Sequence, residues 1–203
     1  MNGFTAIIDY GVGNLHSVAK ALDYVGAKNR ITGDAEEIRR ADALILPGVG
    51  AFPMAYHALR ETGLMDVLCA EVEKKPLLGI CLGMQLLFER SFEEQECEGL
   101  SLVSGEVRKI KTSYKLPQIG WNELKIKRPC ALTQGLPDEA YVYFVHSYCA
   151  QVSKPEQLIA TCDYGEEVTA IVQNGNAYGC QFHPEKSGDV GLAILENFKN
   201  IIG

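Results

Sequence analysis

Three short apolar runs in the first half of the chain place the strongest limit on its fold. Apolar residues dominate each of them, and they lie at residues 4–9, 43–47 and 76–80. Segments whose apolar residues recur with helical spacing follow these runs, at residues 15–25, 54–73 and 83–90. Strands buried on both faces have near-continuous apolar sequences, and helices usually connect parallel strands. The alternation therefore predicts a parallel sheet with helices on both faces.

The second half of the chain has a different pattern, with many β-branched and aromatic residues separated by turns. These runs lie at residues 107–111, 122–126, 140–150, 158–165 and 168–184. Within the last run, Asn174-Gly175 is a strong signal for a two-residue hairpin turn. Residues 189–201 are amphipathic and are predicted to form a closing helix. We predict one α/β domain, residues 1–203, with an antiparallel portion in its second half.

Length and charge argue against several classes of protein. The 203 residues suffice for one ordinary domain, and no apolar run reaches the roughly 18 residues that a membrane-spanning helix needs. The formal net charge is −7 and the basic residues are dispersed, which argues against a nucleic-acid-binding protein. The first residues show neither a basic leader nor a cleavage pattern. We therefore expect a cytoplasmic protein that binds neither nucleic acid nor a membrane.

The seven cysteines are scattered along the chain, and no two of them form a C-x-x-C pair. This pattern predicts neither a disulfide framework nor a zinc cluster. It suits a reducing compartment, where thiols stay free. We expect the protein to need no metal and no organic cofactor.

One cysteine has a sequence context that the others lack. Cys81 lies in GICLGMQ, residues 79–85, directly after the apolar run at 76–80 and before a helical segment. This order of strand, Gly-x-Cys-x-Gly and helix is typical of a nucleophile elbow, in which small flanking residues leave the nucleophile accessible. The N–H groups at the start of the helix favour a thiolate over a thiol. The alternative is a buried structural cysteine, the common fate of this residue type.

A histidine and a glutamate near the end of the chain have the spacing that a thiolate enzyme needs. His183 ends an apolar run, Pro184 stops the strand, and Glu185 follows two residues after the histidine. A nucleophilic cysteine needs a proton donor, and a carboxylate beside a histidine fixes the tautomer of the ring. The alternative is a strand-end histidine with ordinary contacts. Together with the elbow, the pair predicts a triad of Cys81, His183 and Glu185.

Two of these motifs resemble the signatures of class I glutamine amidotransferases. They are GICLGMQ at residues 79–85 and QFHPE at residues 181–185, and PGVG at residues 47–50 resembles the glycine loop of the family's oxyanion hole. Five segments, in the right order, are similar to the glutaminase subunits of imidazole glycerol phosphate synthases of histidine biosynthesis. They are DYGVGNL (9–15), PGVGAF (47–52), IGWN (119–122), YFVHSY (143–148) and HPEKS (183–187). The resemblance covers nearly the whole chain.

The resemblance implies a flavodoxin-like α/β fold, in which helices flank a mixed sheet. It also implies a heterodimer with a TIM-barrel synthase subunit, which makes imidazole glycerol phosphate and AICAR, and a path for ammonia into that barrel. Cys81 would attack the side-chain amide of glutamine, His183 would act as general base and acid, and Glu185 would orient the histidine. Water would then hydrolyse the thioester and release glutamate.

The same match implies an oxyanion hole and a substrate site. The oxyanion would be bound by backbone N–H groups of Leu82, Val49 and Gly50, and the glycine loop must rearrange if its N–H group is to face the oxyanion. The residues that would contact glutamine are Gly50, Gln85, Glu93, Ser147 and Tyr148. Glu93 lies in an acidic run at residues 93–96, so a solvated surface charge is the alternative there.

Four residues match positions at the interface with the synthase subunit. They are Asn14, Trp121, Tyr143 and Lys186. Trp121 is the only tryptophan, and the Gly-Trp-Asn sequence around it predicts a turn between strands. Tryptophan is enriched among residues that carry binding energy. A core position is the alternative for Trp121, because tryptophan is usually largely buried.

Three alternative functions remain. A class I glutaminase could serve another synthase, as in anthranilate, guanylate or pyridoxal phosphate synthesis, but residues 9–14 and 119–122 and the Lys186-Ser187 pair favour imidazole glycerol phosphate synthase. A partner-free hydrolase of γ-glutamyl peptides would have the same architecture. A flavodoxin-like binding or chaperone protein could use the elbow cysteine as an oxidation sensor, but it has no need of a His-x-Glu pair. Glutamate release, measured with and without a synthase subunit, separates these functions.

Overall fold

The computed structural model describes residues 3–202. Its strands are β1 Thr5–Ile8, β2 Asn29–Thr32, β3 Ala43–Gly48, β4 Leu77–Cys81, β5 Arg90–Ser91, β6 Cys97–Glu98, β7 Gly105–Lys109, β8 Gln118–Glu123, β9 Lys125–Ile126, β10 Tyr141–His146, β11 Tyr148–Val152, β12 Leu158–Asp163, β13 Glu167–Asn174 and β14 Ala177–Cys180. Its α-helices are α1 Leu15–Tyr24, α2 Ala35–Arg40, α3 Phe52–Glu61, α4 Leu64–Val72, α5 Leu82–Leu86 and α6 Gly188–Ile201. Short 3₁₀ helices span Ala131–Thr133, Pro155–Gln157 and Pro184–Lys186.

The main sheet has eight strands in the order β2-β1-β3-β4-β14-β13-β12-β9. The pairs from β2 to β14 are parallel, and those from β14 to β9 are antiparallel. Every residue of β1, β3 and β4 is buried, as expected for central parallel strands. The prediction of a mixed sheet flanked by helices, with an antiparallel portion in the second half, is confirmed.

Helices cover both faces of this sheet. Neighbouring residues of β3 point to opposite sides, so that Ile45 packs in one apolar cluster and Leu46 in another. The first cluster includes Leu22 of α1 and Phe198 of α6, and the second includes Phe52 of α3. None of the helices in residues 3–202 is long and apolar enough to cross a membrane.

Two smaller sheets lie beside the main one. Strands β8 and β10 form an antiparallel pair, and β11, β7, β5 and β6 form a four-stranded sheet. The apolar run at residues 140–150 contributes to both, because β10 ends at His146 and β11 begins at Tyr148. Ser147 therefore lies at the point where the chain passes from one small sheet to the other.

The prediction of one continuous helix over residues 54–73 was wrong. The chain forms α3 and α4 instead, with a break at Thr62-Gly63. Gly63 has φ +71°, a left-handed conformation that ends a helix and that glycine adopts without steric cost.

The prediction of a helix over residues 83–90 was correct only in its first part. Helix α5 ends at Leu86, and Arg90 already belongs to β5. The N–H groups of Leu100 and Leu102 donate to the carbonyl oxygens of Leu86 and Leu87, each at 2.8 Å. Those carbonyls would have to accept from residues 90 and 91 if the helix continued, so the returning chain replaces the next helical turn.

Candidate active site

Cys81 ends β4 and directly precedes α5, at the edge of the sheet where parallel strands end. Its backbone has φ +55° and ψ −111°, an unfavourable conformation for a residue with a side chain, and typical of a nucleophile elbow. A Cβ atom at Gly83 would collide with the Leu46 carbonyl oxygen, so only glycine allows the turn to pack against β3. Helix α5 has five residues, so the free N–H groups of its first turn, rather than a long helix dipole, act near the sulfur.

His183 and Glu185 form a buried pair. The Nδ1 atom of His183 lies 2.8 Å from Oε1 of Glu185, and their side chains are 3% and 1% exposed. Because an ionised carboxylate only accepts hydrogen bonds, Nδ1 carries a proton in this pair. Burial disfavours the imidazolium, but hydrogen bonds to Cys81 and Glu185, together with their charges, outweigh it and raise the pKa of His183 to about 9. The geometry therefore supports an imidazolium that a carboxylate orients beside Cys81.

The turn that carries the histidine is tied to β10. The N–H group of His183 donates to the Tyr143 carbonyl at 3.0 Å. The Ser187 hydroxyl donates to the His183 carbonyl at 2.6 Å and accepts from the Tyr143 N–H group at 3.0 Å. These contacts hold the imidazole at a fixed distance from the small β8–β10 sheet.

A cavity of about 380 Å³ opens beside the sulfur. All the residues that the sequence predicts for the oxyanion and glutamine sites line it: Val49, Gly50, Leu82, Gln85, Glu93, Ser147 and Tyr148. Pro117, Val145, His146 and Lys186 complete the lining together with Cys81 and His183. A larger hollow of about 600 Å³ lies along residues 126–134, but it contains none of the predicted site residues. Within residues 3–202, no three His, Cys, Asp or Glu side chains are placed to hold a metal ion.

Glu93 lies at this cavity and not among the solvated charges of its acidic run. Its Oε2 atom accepts a hydrogen bond from the Phe52 N–H group at 2.8 Å, whereas Glu94 and Glu96 are exposed. Partial burial raises the pKa of Glu93, the Phe52 N–H group opposes this shift, and the charge of Glu94 adds to it. The carboxylate is thus held at the mouth of the cavity.

The glycine loop lies directly against the elbow. Gly48 pairs with Cys81 across β3 and β4, and the hydroxyl of Tyr10 donates to the Pro47 carbonyl at 2.8 Å. Gly50 has φ +95°. A Cβ atom at Gly13 would lie 3.2 Å from Pro47, which places the turn containing Asn14 beside the same loop.

The backbone carbonyl of Tyr148 accepts two hydrogen bonds, from Nε2 of Gln85 at 2.9 Å and from Nδ1 of His146 at 2.8 Å. Gln85 also donates to Oε1 of Gln181 at 3.0 Å, and Nε2 of Gln181 lies 3.9 Å from the sulfur of Cys81. Burial, opposed by the Tyr148 contact and reinforced by the charge of His183, lowers the pKa of His146 to about 4. His146 is therefore neutral at physiological pH, and its Nε2 atom has no hydrogen-bond partner among residues 3–202.

Three of the predicted interface residues lie on or beside the β8–β10 sheet, namely Trp121 in β8, Tyr143 in β10 and Lys186 in the 3₁₀ helix that contacts β10. Trp121 is 53% exposed, faces Tyr143 across the two strands, and contacts its ring edge to face. The prediction of a turn at Trp121 was wrong, because the residue lies within β8, and the core alternative is also wrong. Lys186 is exposed at the cavity, whereas Asn14 is half-buried at the start of α1.

Sequence reasoning missed Tyr10, Pro117, His146 and Gln181. Gln181 precedes His183 by two residues, and the alternation of an extended chain could have placed both side chains on one side. His146 directly precedes the predicted substrate residue Ser147. The positions of Tyr10 and Pro117 depend on the tertiary fold and have no local signal.

The glycine loop, the cysteine elbow and the His–Glu pair meet here on an α/β sheet, as in the signatures described above. The model of the glutamine amidotransferase class-I family matches residues 6–201, so this chain belongs to that family of glutamine-hydrolysing enzymes. It is 55% identical over 200 residues to the imidazole glycerol phosphate synthase subunit HisH of Bacillus thuringiensis (strain Al Hakam), covering 97% of this chain and 94% of that protein. The subunit HisH of Bacillus cereus (strain G9842) is 54% identical over 199 residues, with the same coverage.

Solved structures with lower identity share the fold. The structure of PurLQS from Thermotoga maritima has a TM-score of 0.79 at 17% identity and covers 100% of both chains. A putative GMP synthase protein from Thermoplasma acidophilum has a TM-score of 0.74 at 21% identity, covering 100% of this chain and 95% of that one. At these identities the likeness concerns the fold alone.

Proposed function

We propose that the chain acts as the glutaminase subunit of an imidazole glycerol phosphate synthase. It would hydrolyse glutamine to glutamate and pass ammonia to a synthase subunit that makes imidazole glycerol phosphate and AICAR in histidine biosynthesis. The relatives named HisH support the pathway, and the pairing of Cys81 with the buried His183–Glu185 couple carries the chemistry. We further propose a single amidotransferase domain over residues 1–203 and a cytoplasmic location.

The triad residues have separate roles in the reaction. The Cys81 thiolate attacks the carbonyl carbon of the glutamine side chain and forms a tetrahedral intermediate. The His183 imidazolium, whose pKa is raised to about 9, gives its proton to the departing nitrogen as the C–N bond breaks. The neutral imidazole then takes a proton from water, which hydrolyses the thioester. Glu185 holds the ring in the required tautomer through its 2.8 Å hydrogen bond.

Backbone N–H groups stabilise the oxyanion of both intermediates. The proposed donors are Leu82, which follows the nucleophile, and Val49 or Gly50 of the glycine loop. This loop borders the cavity, and Gly50, at φ +95°, has no side chain to restrict its backbone. A rearrangement that turns one N–H group toward the oxyanion would raise the rate without moving the triad.

The remaining cavity residues would hold the substrate. We assign the Glu93 carboxylate to the α-ammonium group of glutamine, because it is the acidic side chain that lines the cavity. Gln85, Ser147, Tyr148 and Gly50 line the same cavity as Cys81 and would contact the rest of glutamine. No step of this mechanism needs a metal or an organic cofactor.

An exposed apolar patch next to the cavity is the proposed docking surface for a TIM-barrel synthase subunit. It comprises the exposed Ile119, Trp121 and Tyr141 with the half-buried Tyr143, and we call it the β8–β10 patch. Aromatic residues are enriched in protein interfaces. A partner at this position would receive ammonia before it reaches bulk water. Asn14 and Lys186 would lie at the margin of this interface.

The test is glutamate release by the purified chain, with and without a synthase subunit of imidazole glycerol phosphate synthase. We expect hydrolysis that the synthase subunit increases and that Cys81→Ser removes. Hydrolysis of γ-glutamyl peptides at full rate without a partner would favour the partner-free hydrolase. Activation by a different synthase alone would mean that the pathway is misassigned. Absence of hydrolysis under every condition would favour the oxidation-sensor alternative and refute the proposal.

A further inference from the structure

A chain of hydrogen bonds runs from the Tyr148 carbonyl to the Cys81 sulfur, and the amide groups in it can take only one orientation. A backbone carbonyl such as that of Tyr148 can only accept, so the side-chain nitrogen of Gln85 must face it. The second N–H bond of Gln85 is then directed at Gln181, whose side-chain oxygen must accept it. The nitrogen of Gln181 is consequently left to face the sulfur of Cys81 at 3.9 Å.

Burial prevents the two amide groups from adopting the reverse orientation. Gln85 is 4% exposed and Gln181 is fully buried, so water cannot replace a lost partner. Reversing the Gln181 amide would bring its N–H groups against those of Gln85 and would turn its oxygen toward the thiolate. Both contacts would be repulsive. The backbone of Gln181 is also fixed, because its N–H group donates to the Ala170 carbonyl at 2.9 Å.

We propose that Gln181 is a further residue of the catalytic site, whose side-chain N–H group donates a hydrogen bond to the Cys81 thiolate, and that Gln85 is a positioning residue that fixes this amide. The inference rests on the proposed role of Cys81 as nucleophile. A hydrogen bond to the charged form of a group favours that form. Gln181 therefore increases the share of Cys81 that is ready to attack before substrate arrives.

The experiment measures alkylation of Cys81 by iodoacetamide as a function of pH. The variants are Gln181→Met and Gln85→Leu in the full chain, and mass spectrometry of the Cys81 peptide separates this thiol from the other six. Iodoacetamide is uncharged and does not need the glutamine site, so loss of substrate binding in the Gln85 variant does not affect the reading. Only the thiolate reacts, and the midpoint of the rate curve reports its formation.

We expect the Gln181→Met midpoint to move up by about one pH unit, which is the effect of losing one hydrogen bond to a charged group. Gln85→Leu should move the midpoint in the same direction by less, because Gln181 is then free to turn away. If Gln181 had only a structural role, Gln181→Met would lower the melting temperature and leave the midpoint of the alkylation curve unchanged. If Gln181→Met does not fold, the Gln85 variant still tests the inference, since Gln181 is intact in it.

A matched control exists in the same molecule. Gln118 is fully buried, and its Nε2 atom donates to the sulfur of Cys162 at 3.5 Å. Gln118→Met removes a buried glutamine from a different thiol and should leave the Cys81 midpoint unchanged. If the wild-type protein hydrolyses glutamine but its pH curve of Cys81 alkylation is the same as that of Gln181→Met, the inference alone fails. If wild-type Cys81 reacts no faster than the other thiols and no glutamine is hydrolysed, the proposed function fails.

Discussion

Two buried cysteines of this protein each face the side-chain nitrogen of a buried glutamine. They differ in neighbouring charge, in backbone conformation and in access to a cavity. Gln118 lies 3.5 Å from Cys162, and Gln181 lies 3.9 Å from Cys81. Burial raises the pKa of the Cys162 thiol to about 11, although the hydrogen bond from Gln118 opposes this. One neutral hydrogen bond therefore does not offset the cost of burying a thiolate. Cys81 differs in having the imidazolium of His183 as a neighbour.

The backbone around the two thiols differs as well. Cys162 lies within the strand β12, opposite Val168 of β13, and it is 1% exposed. Cys81 lies at a strand–helix junction with a positive φ and borders the 380 Å³ cavity. A reactive cysteine thus combines access, a cation and an unusual backbone, whereas the glutamine contact is common to both sites.

The largest expected effect separates the two thiols directly. Cys81→Ser should reduce glutamine hydrolysis by about 10⁴-fold or more, because a hydroxyl is a far weaker nucleophile than a thiolate. Cys162→Ser should keep the activity within about twofold, since a hydroxyl can still accept from Gln118. Steady-state assays of glutamate release check both variants. A Cys81→Ser enzyme with substantial activity would remove the distinction on which the assignment depends.

The imidazolium is the second difference, so its removal should have nearly the same effect as loss of the thiol. His183→Ala should approach the loss seen in Cys81→Ser, because triad residues act as a unit. Glu185→Gln should lose about 10- to 100-fold less, since the glutamate orients the ring and transfers no proton. The same assay applies. A greater loss in Glu185→Gln than in His183→Ala would mean that the two roles are misassigned.

The charge at His183 also predicts the alkaline limit of activity. The pKa of His183 is raised, so the imidazolium persists up to about pH 9 and is lost above it. We expect kcat/KM to fall as pH rises through about 9. In Glu185→Gln this limb should move to lower pH, because the carboxylate is one of the groups that raise the pKa. Profiles over roughly pH 6 to 10.5 measure the shift, and a limb that does not move would exclude Glu185 as a source of it.

The smallest expected effect concerns Trp121, which lies in the same strand as Gln118. Gln118 of β8 faces Cys162, whereas Trp121 of the same strand faces solvent. Trp121→Ala should weaken binding of the synthase subunit by more than about 1 kcal/mol, the scale of an interface anchor, with little change in melting temperature. Tyr24→Ala is the matched control, because Tyr24 is 79% exposed and lies at the opposite end of α1 from Asn14. Unchanged affinity for the Trp121 variant would move the docking surface elsewhere.

The central strands and the strand–helix junction at Cys81 could be predicted from the sequence because each depends on a short local pattern. The His-x-Glu spacing likewise indicated the contact between His183 and Glu185. The apolar runs that became β1, β3 and β4 are buried on both faces, as their near-continuous apolar sequences predict. The Gly-x-Cys-x-Gly pattern marks the elbow locally, although the contact that requires glycine at 83 is with Leu46 of β3. The two errors in helix length arose from different causes. At Gly63 a single residue adopted a left-handed conformation, and after Leu86 a later segment bonded to the exposed carbonyls.

The amide network could not be predicted in the same way. Gln85 lies in α5, Tyr148 begins β11 and Gln181 directly follows β14. These segments are distant in sequence, and each contact depends on how they pack. The exposure of Trp121 could not be predicted either, since it shares the apolar face of β8 with Ile119, and such a face ordinarily packs on the core. Motifs predict which residues react, and tertiary packing decides what surrounds them.

Ser147 sets a mechanical limit on how the two small sheets can move. A single residue separates β10, whose Tyr143 lies in the β8–β10 patch, from β11, whose first carbonyl orients Gln85. Because one residue is the whole connection, β10 has little freedom to move without carrying Tyr148 with it. A force applied at the outer surface would reach the sulfur through covalent geometry and three hydrogen bonds, without unfolding any element of the sheet.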